Sequence, residues 1–119
     1  MHDGPMGIQV EDYIRADQSS PFQQWVNSLA PEPKARALTA IARIRDGNTS
    51  NIKWLGDIGE YVINWGPGYR IYLAPEGSTL IILFGGGTKK RQWADIERSR
   101  KLFQEFKARK KAAGKIPWH

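Results

Sequence analysis

The residues best suited to binding or catalysis are cations placed beside glycine turns within residues 65–92. Arg70 is the one charged residue of a β-prone, otherwise apolar segment that follows a Gly-Pro-Gly turn at residues 66–68. Lys89, Lys90 and Arg91 come shortly after three consecutive glycines at residues 85–87. A buried strand that delivers three cations from its end is typical of a site for a polyanion.

These residue types are compatible with either cleavage or binding of RNA. RNA can be cut without a metal because its own 2′-OH is an internal nucleophile, so a protein needs to orient the chain, stabilise the pentavalent phosphate and move protons. The planar, permanently charged guanidinium of Arg70 suits the phosphate, and Lys89 could transfer a proton where neighbouring cations or burial depress its pKa. The same cations could instead only bind RNA, without acid–base work.

The elements that must position these residues can be read from the periodicity. Strands are predicted at about residues 8–14, 61–65, 69–74 and 79–84; the last of these is nearly all aliphatic and is expected to stop at the glycines. Ser20 as N-cap and Pro21 at the first helical position start a helix with an apolar stripe of Phe22, Trp25, Val26 and Leu29. Pro31 and Pro33 are expected to break the chain before a second helix.

That second helix is predicted over residues 34–45, with Ala35, Leu38, Ile41 and Ala42 facing inward, and a last helix over residues 92–110. The order β-α-α-β-β-β-α indicates an α+β fold in which helices pack on a mostly antiparallel sheet. Its 119 residues fit one domain, with residues 1–7 as a loose leader, residues 111–119 as a basic tail, and Met6 as an alternative start.

Charge is distributed unevenly along the chain. Residues 1–88 hold 7 Lys and Arg against 9 Asp and Glu, whereas residues 89–119 hold 11 against 3. A nucleic acid, an acidic protein or a membrane surface would match the basic segment, although a solvated basic helix and tail would also explain it.

Composition excludes several classes of function. The chain has no cysteine and its two histidines are His2 and His119, so zinc chemistry lacks ligands. No nucleophile motif is present, and scattered acidic residues do not indicate a two-metal nuclease. No cofactor or metal is expected. No apolar run is long enough for a membrane span and no secretory signal is visible, so a cytoplasmic protein with no membrane partner is predicted.

The segment also resembles a known family. Gly68-Tyr69-Arg70, an aliphatic strand, and then Gly-Gly-Thr-Lys-Lys-Arg-Gln up to Gln92 look like the RelE/ParE toxin superfamily, closest to its HigB-like addiction module killer proteins. The resemblance covers roughly residues 8–106. It departs from the branch at Val62, where that strand usually carries an arginine.

The resemblance implies the same RelE-like architecture and a ribosome-dependent mRNA endonuclease of a type II toxin–antitoxin system. It implies Arg70 and Lys89 as catalytic residues, and we add Tyr72, which lies two residues from Arg70 on the same strand face. It implies Lys90, Arg91 and Gln92 as RNA contacts, and Trp65 is a candidate stacking platform. Expected partners are mRNA on the ribosome, with rRNA contacts, and a cognate helix-turn-helix antitoxin that leaves the site open.

Each assignment has a structural alternative. Arg70 could simply pair with Glu60 on the neighbouring strand, Tyr72 could be a core residue, and Trp65 could pack against a helix. Asp95 is expected to interact with the helix dipole. Trp25, Trp54 and Trp93 are predicted to be core residues. At the level of the whole protein, the alternatives are a ParE-like gyrase poison and a non-catalytic RNA-binding module.

Overall fold

A computed structural model describes residues 7–114. The predicted leader and basic tail lie largely outside these residues. Within them, three α-helices pack on a five-stranded mixed sheet. In chain order the elements are β1 (Gln9–Asp12), α1 (Pro21–Asn27), α2 (Pro31–Arg45), β2 (Ile52–Leu55), β3 (Ile58–Ile63), β4 (Tyr69–Glu76), β5 (Leu80–Thr88), a 3-10 turn (Lys89–Arg91) and α3 (Gln92–Gly114).

The strand order is β1-β5-β4-β3-β2. Three of the pairs are antiparallel, while β1 runs parallel to β5 with Gln9 opposite Leu80. The α+β class is therefore confirmed, and the sheet is mixed. The predicted element order lacks β2, a four-residue edge strand that pairs with β3 and is too short to show a clear alternation.

Both faces of the sheet are covered. The core on one face, against α1 and α2, contains Phe22, Val26, Ile41, Ile44, Tyr61, Ile71 and Leu73. The core on the other face, against α3, contains Tyr13, Ile58, Tyr72, Phe84, Ile96 and Phe103. Alternate residues of β4 thus feed opposite cores, as the period of a strand requires.

The start of α1 is confirmed, since the Ser20 hydroxyl accepts a hydrogen bond from the Gln23 amide at 3.1 Å and Pro21 is the first helical residue. The start of α2 was predicted wrongly. Pro31 begins this helix and Pro33 lies inside its first turn, where a missing N–H costs nothing because those amides have no intrahelical acceptor.

The inward face of α2 was predicted only in part: Ile41 is buried as expected, whereas Ala35, Leu38 and Ala42 are exposed. Its buried residues are Pro33, Ala37, Ala40, Ile41 and Ile44, whereas Leu38 is 49% exposed. Several alanines allow more than one apolar stripe on this helix, and Ile44 decides which one is buried.

The expectation that the last strand stops at the glycines is wrong. β5 continues through residues 85–87 to Thr88, paired with β4. Glycine is required there by close neighbours, since a Cβ on Gly86 would lie 2.5 Å from the Trp25 ring and one on Gly87 would collide with the Asp95 carboxylate. These glycines let α1 and α3 approach the strand backbone.

Candidate functional site

A buried carboxylate, Glu60, organises the end of the sheet nearest the Gly-Pro-Gly turn. Its Oε2 accepts hydrogen bonds from the Tyr72 hydroxyl at 3.0 Å and from Gln92 Nε2 at 2.8 Å. Arg70 Nε lies 3.4 Å from the same oxygen. These four residues, which we name the Glu60 cluster, join β3, β4 and the first turn of α3.

Strand register explains why the cluster forms. Glu60 is directly opposite Tyr72, and Val62 is directly opposite Arg70. The side chains of these two strand pairs therefore project from the sheet face that α3 covers. The alternative that Arg70 pairs with Glu60 is confirmed. This pairing does not by itself exclude a functional role for the arginine.

Gly68 connects Arg70 to Lys89. Its carbonyl oxygen accepts hydrogen bonds from Arg70 Nη1 at 2.6 Å and from the Lys89 amide at 3.0 Å. Gly68 has φ of 77°, and a Cβ there would lie 2.9 Å from Arg70 Nη1 and 3.6 Å from Lys89 Cβ. The turn therefore needs glycine at this position both for its backbone and for the close approach of the two cationic residues.

Burial separates the three predicted catalytic residues. Lys89 is exposed, Arg70 is 9% exposed, and Tyr72 is completely buried. Burial, followed by the nearby Glu60 carboxylate, raises the pKa of the Tyr72 hydroxyl far above its ordinary value, so this hydroxyl stays protonated and donates to Glu60. Tyr72 does not reach the surface in this conformation, which makes it a positioning residue rather than a substrate contact.

The predicted RNA contacts fall into two groups. Lys89, Lys90 and Arg91 form a 3-10 turn, which we name the basic turn; all three are exposed, and their side chains make no hydrogen bond or ion pair with any residue in the described part of the chain. Gln92 is half-buried and its amide nitrogen is engaged by Glu60. Gln92 thus helps to hold Glu60 in place within the site.

Trp65 packs against α2, as its structural alternative expected. Its ring stacks on Tyr69 with centroids 6.2 Å apart, and the Arg36 guanidinium lies 4.3 Å from its centroid. These contacts occupy much of the ring surface that a base would need.

The assignment of the other tryptophans to the core is wrong in two cases. Trp54 is 51% exposed on the edge strand β2, and Trp93 is 74% exposed in the first turn of α3. Trp25 is half-buried against Gly86. The prediction from hydrophobicity alone was wrong at Trp54 and Trp93, since neither tryptophan belongs to a periodic pattern of apolar residues.

Sequence reasoning treated Glu60 only as a pairing partner and did not identify it as the centre of a cluster. The spacing of Arg70 and Tyr72 on one strand face was a usable signal, but the contact with Gln92 depends on how α3 packs. Asp95 is buried and forms a 2.7 Å ion pair with Arg98, so it has a packing role besides any interaction with the helix dipole.

A second concave surface lies on the opposite face of the sheet. It is a cleft of about 360 Å³ between α2 and β3, and its polar lining includes Arg36, Thr39, Arg43, Asn51 and Asn64. It was not predicted, because the cations of α2 are few and spaced two turns apart.

Among residues 7–114 no group of three His, Asp or Glu residues is arranged to hold a metal ion. None of the helices in this part of the chain is both long and apolar enough to cross a membrane.

Comparisons with known proteins place the chain in a family without assigning a function. No family model matches it. It is 38% identical over 87 residues to a protein of Haemophilus influenzae named only as an uncharacterized protein, an alignment that covers 71% of this chain and 88% of that one. The chain belongs to the same family as this Haemophilus protein.

Proposed function

We propose that this protein is a type II toxin with a RelE-like fold that cleaves mRNA on the ribosome without a metal. The proposed architecture is supported by the element order, which resembles β-α-α-β-β-β-α when the short edge strand β2 is set aside. The observation that carries the proposed activity is that the Gly68 carbonyl accepts from both the Arg70 guanidinium and the Lys89 backbone amide, which places the basic turn next to the arginine.

The proposed roles are supported by the geometry. Arg70 Nη1 donates to the Gly68 carbonyl and its Nε lies 3.4 Å from Glu60 Oε2, while Nε and Nη2 have no hydrogen-bond partner among the described residues. A pre-oriented guanidinium stabilises the charge that develops on the pentavalent phosphate without having to reorganise. Lys89 and the basic turn hold the adjacent phosphates.

In the proposed reaction the ribose 2′-oxygen forms a bond to phosphorus while the bond from phosphorus to the 5′-oxygen breaks. Lys89 donates the proton that the 5′-oxygen takes up. The proton lost from the 2′-OH passes to water or to a basic group of the ribosome, because Glu60 and Tyr72 are completely buried and cannot accept it. The cluster therefore lacks an accessible base, which supports a requirement for the ribosome to complete or orient the site.

A non-catalytic RNA-binding module is the second candidate. It is favoured by the burial of Arg70 at 9% exposure and by its engagement with Glu60, since a structural arginine would have the same surroundings. In that case the basic turn alone would contact RNA.

The test is cleavage of mRNA on translating ribosomes, with the new 5′ ends mapped. Arg70→Ala is expected to slow cleavage about 10²–10³-fold, the usual cost of losing one preorganised donor to a transition state. Arg45→Ala, which removes the same charge from the exposed end of α2, is the matched control and is expected to cleave normally. Full cleavage by a folded Arg70→Ala protein would reject the catalytic assignment.

Two further outcomes separate the alternatives. Rapid degradation of free RNA by the purified protein in EDTA would reject the ribosome requirement. RNA binding without any cleavage would select the binding module, and inhibition of gyrase supercoiling in place of both would select a gyrase poison.

A further inference from the structure

Trp93 is the most exposed large apolar side chain in the described part of the chain, at 74%. Single exposed apolar residues are common and need no special explanation. Trp93 differs because it lies two residues after the basic turn Lys89–Arg91, whose three cations are exposed and have no partner among the described residues. Proteins that bind single-stranded nucleic acids combine aromatic rings with cations, so that the phosphates contact the cations and a base stacks on the ring.

The direction of the Trp93 side chain is fixed by its neighbours on α3. Gln92 points toward the sheet and donates to Glu60, and Ile96 and Ser99 are buried against the sheet. Because successive helical residues are rotated by about 100°, Trp93 lies on the flank that it shares with Arg100, two turns later. Arg100 donates to the Leu55 carbonyl at 2.6 Å, so this flank faces the side of the sheet that carries β3 and β2.

Trp93 therefore lies on the β3 side of the first turn of α3, and the basic turn precedes it at the end of β5, where β5 pairs with the start of β4. Arg70 and Val62 face each other there across β4 and β3. A chain whose phosphate lies at Arg70 and Lys89 could place a neighbouring base against the indole. The Glu60 cluster holds the first turn of α3 on the sheet, so the indole is presented on a supported element.

We infer that Trp93 is a base-stacking residue that binds an unpaired nucleotide of single-stranded RNA next to the phosphate held by Arg70 and the basic turn. This inference rests on the proposed function and deepens it by naming how the RNA is held. A protein partner would also use an exposed indole, but the adjacent positive charge favours a polyanion.

The experiment measures binding of a fluorescently labelled single-stranded RNA whose riboses are 2′-O-methylated, so that it cannot be cleaved. Trp93→Ala is expected to weaken binding roughly five- to hundredfold, whereas Trp93→Phe keeps most of the affinity. Trp54→Ala is the matched control. It removes another exposed indole, one that packs beside Gly59 and Leu73 on the face covered by α1 and α2, and it is expected to bind like the wild type.

Salt dependence distinguishes stacking from charge. Trp93→Ala is expected to leave the slope of log Kd against log salt unchanged, while Lys90→Ala reduces it by about 0.7 because one phosphate contact is lost. A thermal melt of each variant confirms that it is folded. A changed slope in Trp93→Ala would contradict stacking.

The outcomes separate the inference from the proposed function. Binding that depends on Trp93 without any cleavage of mRNA on ribosomes supports the inference and rejects the enzyme. Binding that is indifferent to Trp93 overturns the inference alone, and loss of affinity for an antitoxin in the same variant would then assign the indole to a protein interface. Failure of the wild type to bind this RNA also overturns the inference, while the proposed function is decided separately by cleavage of mRNA on ribosomes.

Discussion

At the scale of single residues, the environment of Glu60 determines how Arg70 is held. The carboxylate is fully buried. Its Oε2 accepts hydrogen bonds from Tyr72 and Gln92 and lies 3.4 Å from Arg70 Nε. Its Oε1 has no hydrogen-bond partner among the described residues. Removing a partner from a buried ion pair leaves an uncompensated charge, which is costly. The cluster therefore couples the stability of the fold to the orientation of the proposed catalytic arginine.

We predict that Glu60→Leu lowers the free energy of unfolding by about 3–5 kcal/mol, because the Arg70 guanidinium would remain buried without a counter-charge. Chemical denaturation measures this change. The double variant Glu60→Leu/Arg70→Met is expected to recover much of the loss, since it removes both charges. Equal destabilisation in the single and double variants would show that the pair contributes little.

Tyr72→Phe removes one donor from the Glu60 carboxylate, and we expect it to cost about 1.5–3 kcal/mol of stability. Because Tyr72 is buried, its loss should reduce mRNA cleavage far less than Arg70→Ala does. Tyr69→Phe is the matched control, since the Tyr69 hydroxyl makes no hydrogen bond with the described residues. A loss of activity as large as that of Arg70→Ala, in a stable Tyr72→Phe protein, would return Tyr72 to the catalytic set.

Part of this site could be predicted from the sequence. Arg70 and Tyr72 share a strand face by simple alternation, and Glu60 could be named as a partner for Arg70 because the turn between the two strands is short. Gln92 could not be placed, because its contact with Glu60 depends on long-range packing of α3. The exposure of Trp93 was missed for the same reason.

At the scale of elements, β5 shows how packing overrides local propensity. Three glycines predict a turn, yet here they extend a strand, and at Gly86 and Gly87 the Trp25 ring and the Asp95 carboxylate occupy the space that side chains would fill. The parallel pairing of β1 with β5 was likewise not accessible from local patterns, since it joins residues far apart in the chain. The three helices, by contrast, were predicted close to their observed positions, although the start of α2 and most of its buried face were wrong.

Gly86→Ala is expected to destabilise the protein by about 1–3 kcal/mol, the usual cost of overpacking. Its Cβ would lie 2.5 Å from the Trp25 ring. In a Trp25→Ala background the same substitution should cost much less, and a double-mutant cycle measures the difference. Gly114→Ala, where a Cβ would meet nothing within 4 Å, is the control. Additive effects of Gly86→Ala and Trp25→Ala would contradict the packing explanation.

The later turns of α3 are tied to the segment after β1 by Glu105. Its carboxylate accepts from Arg15 Nη2 at 2.8 Å and from the Tyr13 hydroxyl at 2.6 Å, and these hydrogen bonds, Arg15 first, lower the pKa of Glu105 below its usual 4.5. A carboxyl whose pKa is lowered by folding stabilises the protein above its unfolded pKa. This contribution is lost as the pH falls through the lower, folded value.

We therefore expect Glu105→Gln to lower the melting temperature at pH 7, and the difference from the wild type to shrink as the pH falls below about 4.5. Melting curves across this range measure it. Glu97→Gln, which breaks a longer pair of 3.4 Å with Arg100, is the control and should show a smaller difference. A gap for Glu105→Gln that stays constant down to pH 3 would reject the linkage.

At the scale of the whole molecule, positive charge is concentrated in the last part of the chain, which begins at the candidate site. Of the 18 Lys and Arg residues, 11 follow Thr88, and the basic turn connects β5 directly to α3. A cognate antitoxin could cover this region or bind elsewhere and block entry to the ribosome by its bulk. We propose the second arrangement.

Arg70→Ala and Lys89→Ala are then expected to keep near-wild-type affinity for the antitoxin while losing toxicity. Titration of each variant with the antitoxin measures this, and the association rate should fall as salt rises because long-range attraction is screened. A large loss of affinity in both variants would show that the antitoxin lies on the candidate site.

The parallel pairing of β1 with β5 also has a consequence for the order of events during synthesis. β5 carries the basic turn at its end, and its neighbour β1 is the first strand to leave the ribosome. The parallel pair can be completed only when residues 80–83 return to residues 9–12, and such non-local pairing is slow to form. A newly made chain thus passes through an interval in which its first strand waits for its fifth. During that interval the candidate site is not yet assembled, because Gln92 and the rest of α3 follow β5 in the chain.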